Sequence, residues 1–281
     1  MLTKRDELML QEIREWRQEL QAYTPHDLQL TYAQWLEQTV SIVPQDVRLT
    51  YINKLDEWLF HVSAWLQDSA VQKKAKKQIL TSARALYGDI EQIEGLKQLT
   101  IDQLTYLAEQ QLAKQRFYSL MQGALTGTGS SLFLSLDMPV LVLLNLRAVQ
   151  LTAMSYGYEI KSPFELMLSL KVFHAASLPK QWQNEGWDYL VHELETHEHS
   201  FFYEGNENVL DETWFEKNVN QLLKTILLIL MKKSVAKRNP ILSMLVAGVM
   251  NYQFTRQVTE YAKRFYQYRY LREKGRDHNE S

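Results

Sequence analysis

Residues Gly123 to Tyr158 read GALTGTGSSLFLSLDMPVLVLLNLRAVQLTAMSYGY, and this stretch decides the fold. A run of small residues leads it. Two mostly apolar segments follow, Leu132 to Leu136 and Val140 to Met154, the second broken only by Asn145, Arg147, Gln150 and Thr152. A helix that is apolar on nearly every side is buried on nearly every side. Small residues let a second helix approach closely. The stretch therefore predicts a central helical hairpin, with Gly123, Thr126, Gly127 and Gly129 at its close contacts. Asp137 stands where an N-cap is needed and Pro139 in the first turn after it. Gly157 suits the C-terminal end.

Outward from the hairpin, nearly every segment has helical spacing. Leu8, Ile13, Trp16 and Leu20 mark a first helix, ended by Pro25. A second, capped by Asp27, stops before Pro44. A third runs over about 45–66 with Leu55, Trp58, Leu59, Val62 and Leu66 as its stripe, and a fourth over about 70–87. The spacing of Trp16, Trp35, Trp58 and Trp65 predicts core positions rather than a stacking surface. Thr100 with Gln103 predicts a capping box and a helix to about Gln122. Ser162-Pro163 and Pro179 open two more helices. An acidic stretch, Gln181 to Glu212, follows. Then come an apolar hairpin, 226–250, whose turn carries Lys232, Lys233, Lys237 and Arg238, and a long last helix opened by Pro240. The expected fold is an all-α multi-helix bundle, amphipathic helices wrapped around the apolar hairpin. It is read as a single helical domain over 1–281, with N-terminal amphipathic helices in 1–98.

The 281 residues are 46% hydrophobic, enough for a large core, and contain no cysteine. Disulfides, thiol nucleophiles and Cys-based zinc sites are excluded, and a reducing compartment is expected. A net charge of -2 gives no bulk attraction to nucleic acid. The charged start, Thr3 to Glu7, lacks the apolar core of a signal peptide, so a cytoplasmic protein is expected. No segment supplies the roughly 20 consecutive apolar residues of a membrane span, and the mean hydropathy is -0.33.

Gly123-Ala-Leu-Thr-Gly127-Thr-Gly129, Asp137-Met-Pro139, Leu146-Arg147 and Tyr156-Gly157-Tyr158 together resemble the signature of the EcsC family. Asn239-Pro240, Ala247-Gly248, Asn251, Ala262 and Arg269-Tyr-Leu271 resemble its closing helix. The EcsC-like region spans about 99–275. Ser130-Ser131 stands where the family often has a second glycine pair. The founding member is encoded beside the Ecs ABC transporter of Gram-positive bacteria, which is linked to secretion and intramembrane proteolysis. The resemblance implies an accessory role and supplies no catalytic residues.

Four constellations bear on function. Gly127-Thr128-Gly129 lacks the preceding strand and following Lys of a phosphate loop, so packing is the expected role. Arg147 shares a stripe with Val140, Leu144 and Leu151. An unpaired buried charge costs several kcal/mol, so an ion pair with Asp137, Glu159 or Glu165 is expected, or else an anionic headgroup in a cavity. His192, Glu195 and His199 share a helix face but sit in an acidic stretch, and metal ligation is the weaker reading; no cofactor is expected. Lys232, Lys233, Lys237 and Arg238 beside apolar residues suit an anionic membrane surface. The expected function is that of a non-enzymatic accessory protein at the cytoplasmic face of a membrane, with that surface or a membrane protein as partner and no nucleic acid. The alternatives are a hydrolase or lipid-modifying enzyme with a cavity near Asp137 and Arg147, and an interaction scaffold built on the acidic stretch.

Overall fold

A computed structural model describes residues 2–25, 45–127, 131–197 and 240–276. The expected helix before Pro44, Gly129, His199, the acidic loop and the basic turn 232–238 lie outside the described residues. Within them the chain forms α1 (Lys4–Gln21), α2 (Gln45–Asp68), α3 (Ala70–Leu86), a 3-10 turn (Glu94–Gln98), α4 (Ile101–Thr126), α5 (Ser131–Ser155), α6 (Pro163–Ser177), α7 (Lys180–His197) and α8 (Pro240–Arg276), and no strand. It is an all-α bundle.

The ends follow the local chemistry. Thr100 caps α4 and Gln103 returns the bond, its Oε1 accepting from Thr100 N–H at 2.9 Å. Ser162 caps α6 with Pro163 at its first position. At the end of α5, Gly157 has φ 86°, its N–H donates to Met154 O, and Tyr158 N–H donates to Ala153 O at 3.0 Å. This double bond through a left-handed residue closes the helix, as glycine permits.

Asp137 does not open α5. The helix begins six residues earlier, at Ser131, and Pro139 lies inside it. An interior proline removes one ladder hydrogen bond and costs about 3 kcal/mol. The apolar sequence on both sides continues the helical period and outweighs that loss.

The helix enclosed on all sides is α6, buried at every residue from Leu166 to Ser177. In the 123–158 stretch, burial is nearly continuous only from Asn145 on, with Arg147 half-buried, whereas Leu125, Pro139 and Val140 are exposed. α4 and α8 form the most extensively packed pair. They run antiparallel, with Thr105 beside Gln267, Arg116 beside Thr259 and Ser119 beside Thr255. Trp16 and Trp187 pack edge-on at 5.4 Å and both meet Tyr261, tying α1 and α7 to α8. Trp65, expected in the core, is 63% exposed. It falls on the outer face of α2, where helical phase carries it away from Leu66.

Candidate functional site

The glycines act at the crossing of α4 and α8. A Cβ on Gly123 would lie 2.5 Å from Ala247 O, and one on Gly127 2.7 Å from Met244 Cα. A Cβ on Gly248 would lie 3.0 Å from Leu120 O. The close partner of Gly123 and Gly127 is thus the C-terminal helix. Polar bonds line the same seam: Ser119 Oγ donates to Asn251 O at 2.9 Å, and Asn251 Nδ2 donates to Gln122 Oε1 at 2.6 Å. Small residues joined by interhelical polar bonds are the packing style of helices in lipid.

With that face turned inward, helical phase at 3.6 residues per turn fixes what α4 shows outside. Phe117, Met121 and Leu125 are 55%, 45% and 58% exposed. Because α8 runs antiparallel, Leu245 and Val249 fall on the same open side of the pair, and both are exposed. The other flank of α4 is α5, where Val140 is exposed two turns before Arg147 on one stripe. Residues 117–126, 138–146 and 240–255 contain no Asp, Glu, Lys or Arg. Exposed apolar side chains thus occur on three adjacent helices, each within an uncharged segment. Sequence reading missed this exposure, although the i, i+4 spacing of Phe117, Met121 and Leu125 opposite the glycines was the available signal.

Lys114 on α4, Arg147 on α5 and Arg256 on α8 are the cations nearest these segments in sequence, and Asp137 precedes the α5 segment. Among the described residues Arg147 makes no ion pair; Asp137 stands ten residues before it on the same helix, about 15 Å along the axis. Glu159 is held by Lys76 and Lys161, and Glu165 takes Arg269 through two bonds of 2.6 and 2.8 Å. Among the described residues, the one acceptor for Arg147 is the neutral Gln115 Oε1, 3.3 Å from Nη1, and Nε is buried without an acceptor. Burial pushes the guanidinium pKa down, with a smaller opposing pull from the Tyr118 phenol.

The chain matches the model of the EcsC protein family over residues 7–271. It belongs to the EcsC family. The match takes in the N-terminal helices as well as the apolar hairpin and α8. No curated protein and no solved structure matches this EcsC chain.

The remaining candidates are dispersed. His192 is exposed, Glu195 meets Arg272 at 3.5 Å, and no cluster of metal-ligating side chains occurs among the described residues. The described part of the acidic stretch is engaged internally, Asp188 with Arg17 and Glu193 with Lys171. Among the described residues no helix is long and apolar enough to cross a membrane.

Proposed function

We propose that this EcsC protein is a non-enzymatic peripheral accessory protein that rests on the anionic cytoplasmic face of a membrane, with the apolar side of α4, α5 and α8 turned to the lipid. One observation carries this reading: exposed apolar side chains on three adjacent helices, in segments 117–126, 138–146 and 240–255 that contain no charged residue, with Lys114, Arg147 and Arg256 beyond them. Apolar side chains enter the boundary of head groups and acyl chains, and cations stay at the head groups. A second copy of the chain fits less well, since symmetric pairing would bring these cations together. Docked in this way, the protein leaves α1 and α7 free to meet a transporter or secretion component, the partner class suggested by the family resemblance. The internal pairing of Asp188, Glu193 and Glu195 favours this reading over an acidic scaffold.

Each cation near an anionic surface contributes about 1 kcal/mol, so three give roughly a hundredfold preference for anionic over zwitterionic lipid. Co-flotation of purified protein with phosphatidylglycerol-containing and pure phosphatidylcholine vesicles at low salt tests this. The expected result is flotation with the former alone, weakening as salt rises. Protein that stays out of the vesicle fraction in both would end the proposal.

A further inference from the structure

Arg147 differs from every other described lysine or arginine that lies buried or half-buried. Each of those meets a carboxylate. Arg269 has Glu165 and Glu273, Lys171 has Glu193, Arg116 and Lys263 share Glu109, Arg264 has Glu260, and Lys274 has Asp6. Among the described residues the enclosed cations are thus neutralised consistently, and Arg147 is left with an amide at 3.3 Å. A partly desolvated guanidinium without a counter-ion is unfavourable unless an anion arrives from outside. The position is also particular. Arg147 stands where the apolar face ends, on the stripe of Val140 and against the α4 side that carries Tyr118. An anion bound there would have its uncharged body lying along Met121, Leu125 and Val140. Guanidinium is suited to phosphate because its planar fork donates two parallel hydrogen bonds.

We infer that Arg147 is the seat of one lipid head-group phosphate, held by its guanidinium while the acyl chains of that lipid lie against the apolar face. The inference rests on the membrane reading above and names the ligand class of the same surface. The apolar neighbours commit it to a lipid rather than a free phosphate: Phe117, Met121 and Leu125 are about half exposed on a ridge, where a soluble anion would find little to touch.

The test compares Arg147→Gln, Arg147→Lys, Lys114→Gln and Arg256→Gln for binding to vesicles of phosphatidylglycerol and phosphatidylcholine, with melting temperature measured alongside. Loss of one cation's general attraction lowers binding about fivefold. A phosphate seat predicts a loss of twentyfold or more for Arg147→Gln and no recovery with lysine. It also predicts a melting temperature equal to or above that of the unaltered protein, since a poorly compensated charge has been removed. Glycerol phosphate at constant ionic strength should displace the unaltered protein and leave the residual binding of Arg147→Gln unchanged. Equal losses for Arg147→Gln and Lys114→Gln would overturn the phosphate seat while leaving membrane docking intact. A drop of several degrees in Arg147→Gln would also overturn it, by showing a structural role. Stabilisation by inorganic phosphate without vesicle binding would overturn the lipid assignment together with the docking proposal.

Discussion

Replacing Gly123 with alanine tests the crossing on which the apolar face depends. The new methyl would stand 2.5 Å from Ala247 O, 2.9 Å from its carbonyl carbon and 2.8 Å from Asn251 Nδ2. Two of these atoms are backbone of α8 and cannot rotate away. Restoring ordinary contact requires the helices to part by nearly 1 Å. A gap of that size forfeits up to about half of each van der Waals contact along the seam. It also stretches the bonds of Ser119 to Asn251 O and Thr255, now 2.9 and 2.7 Å. Overpacking costs about 1–3 kcal/mol and each weakened hydrogen bond about 1 kcal/mol, while alanine regains about 1 kcal/mol in helix propensity. The net is a destabilisation of about 2–4 kcal/mol, or roughly 5–15 °C in melting temperature for a chain of this size. Thermal unfolding followed by circular dichroism measures it. Gly88→Ala, where an added Cβ meets nothing within 4 Å, serves as the control and should stay within about 1 kcal/mol. A Gly123→Ala protein that melts at or above the unaltered one would refute the close crossing.

Two further outcomes follow from buried charge. Glu165→Gln leaves Arg269, only 7% exposed at its side chain, with Glu273 as its remaining carboxylate, and should cost about 3 kcal/mol in denaturant unfolding; a loss under 1 kcal/mol would contradict the pairing. His174 is buried in α6, and burial lowers its pKa to about 4. The unfolded imidazole takes up its proton near pH 6.5 and the folded one near pH 4, so the unfolded state gains protons first and stability falls across that window, by up to about 3 kcal/mol. His174→Gln should remove this part of the pH dependence, and an unchanged slope between pH 6.5 and 4 would count against the burial.

The helical fold was legible because its signals are local. Thr100 with Gln103, Ser162 with Pro163, and Gly157 act through their own backbone, and each does in the structure what its sequence position predicts. The start of α5 was not legible. Asp137-Met-Pro139 has the form of a helix opening, yet continuous apolar sequence carries the helix through the proline. Tertiary pairing was hidden for the same reason. That Gly123 meets Ala247, or that Glu165 chooses Arg269 over Arg147, depends on which helices become neighbours across more than a hundred residues. The apolar face was half visible. Its spacing lies in the sequence, but its exposure became apparent only once α6, and not the 123–158 hairpin, proved to be the enclosed helix.

The absence of cysteine permits a direct test of the docking face, because a single introduced thiol can be labelled without background. An environment-sensitive fluorophore placed at Met121→Cys, Leu125→Cys or Val249→Cys reports entry into lipid, and Val71→Cys, exposed on α3, serves as the reference. On addition of phosphatidylglycerol-containing vesicles, the account predicts a blue shift and protection from aqueous quencher at the first three positions and no change at position 71. Equal responses at all four, or a response at position 71 alone, would contradict it.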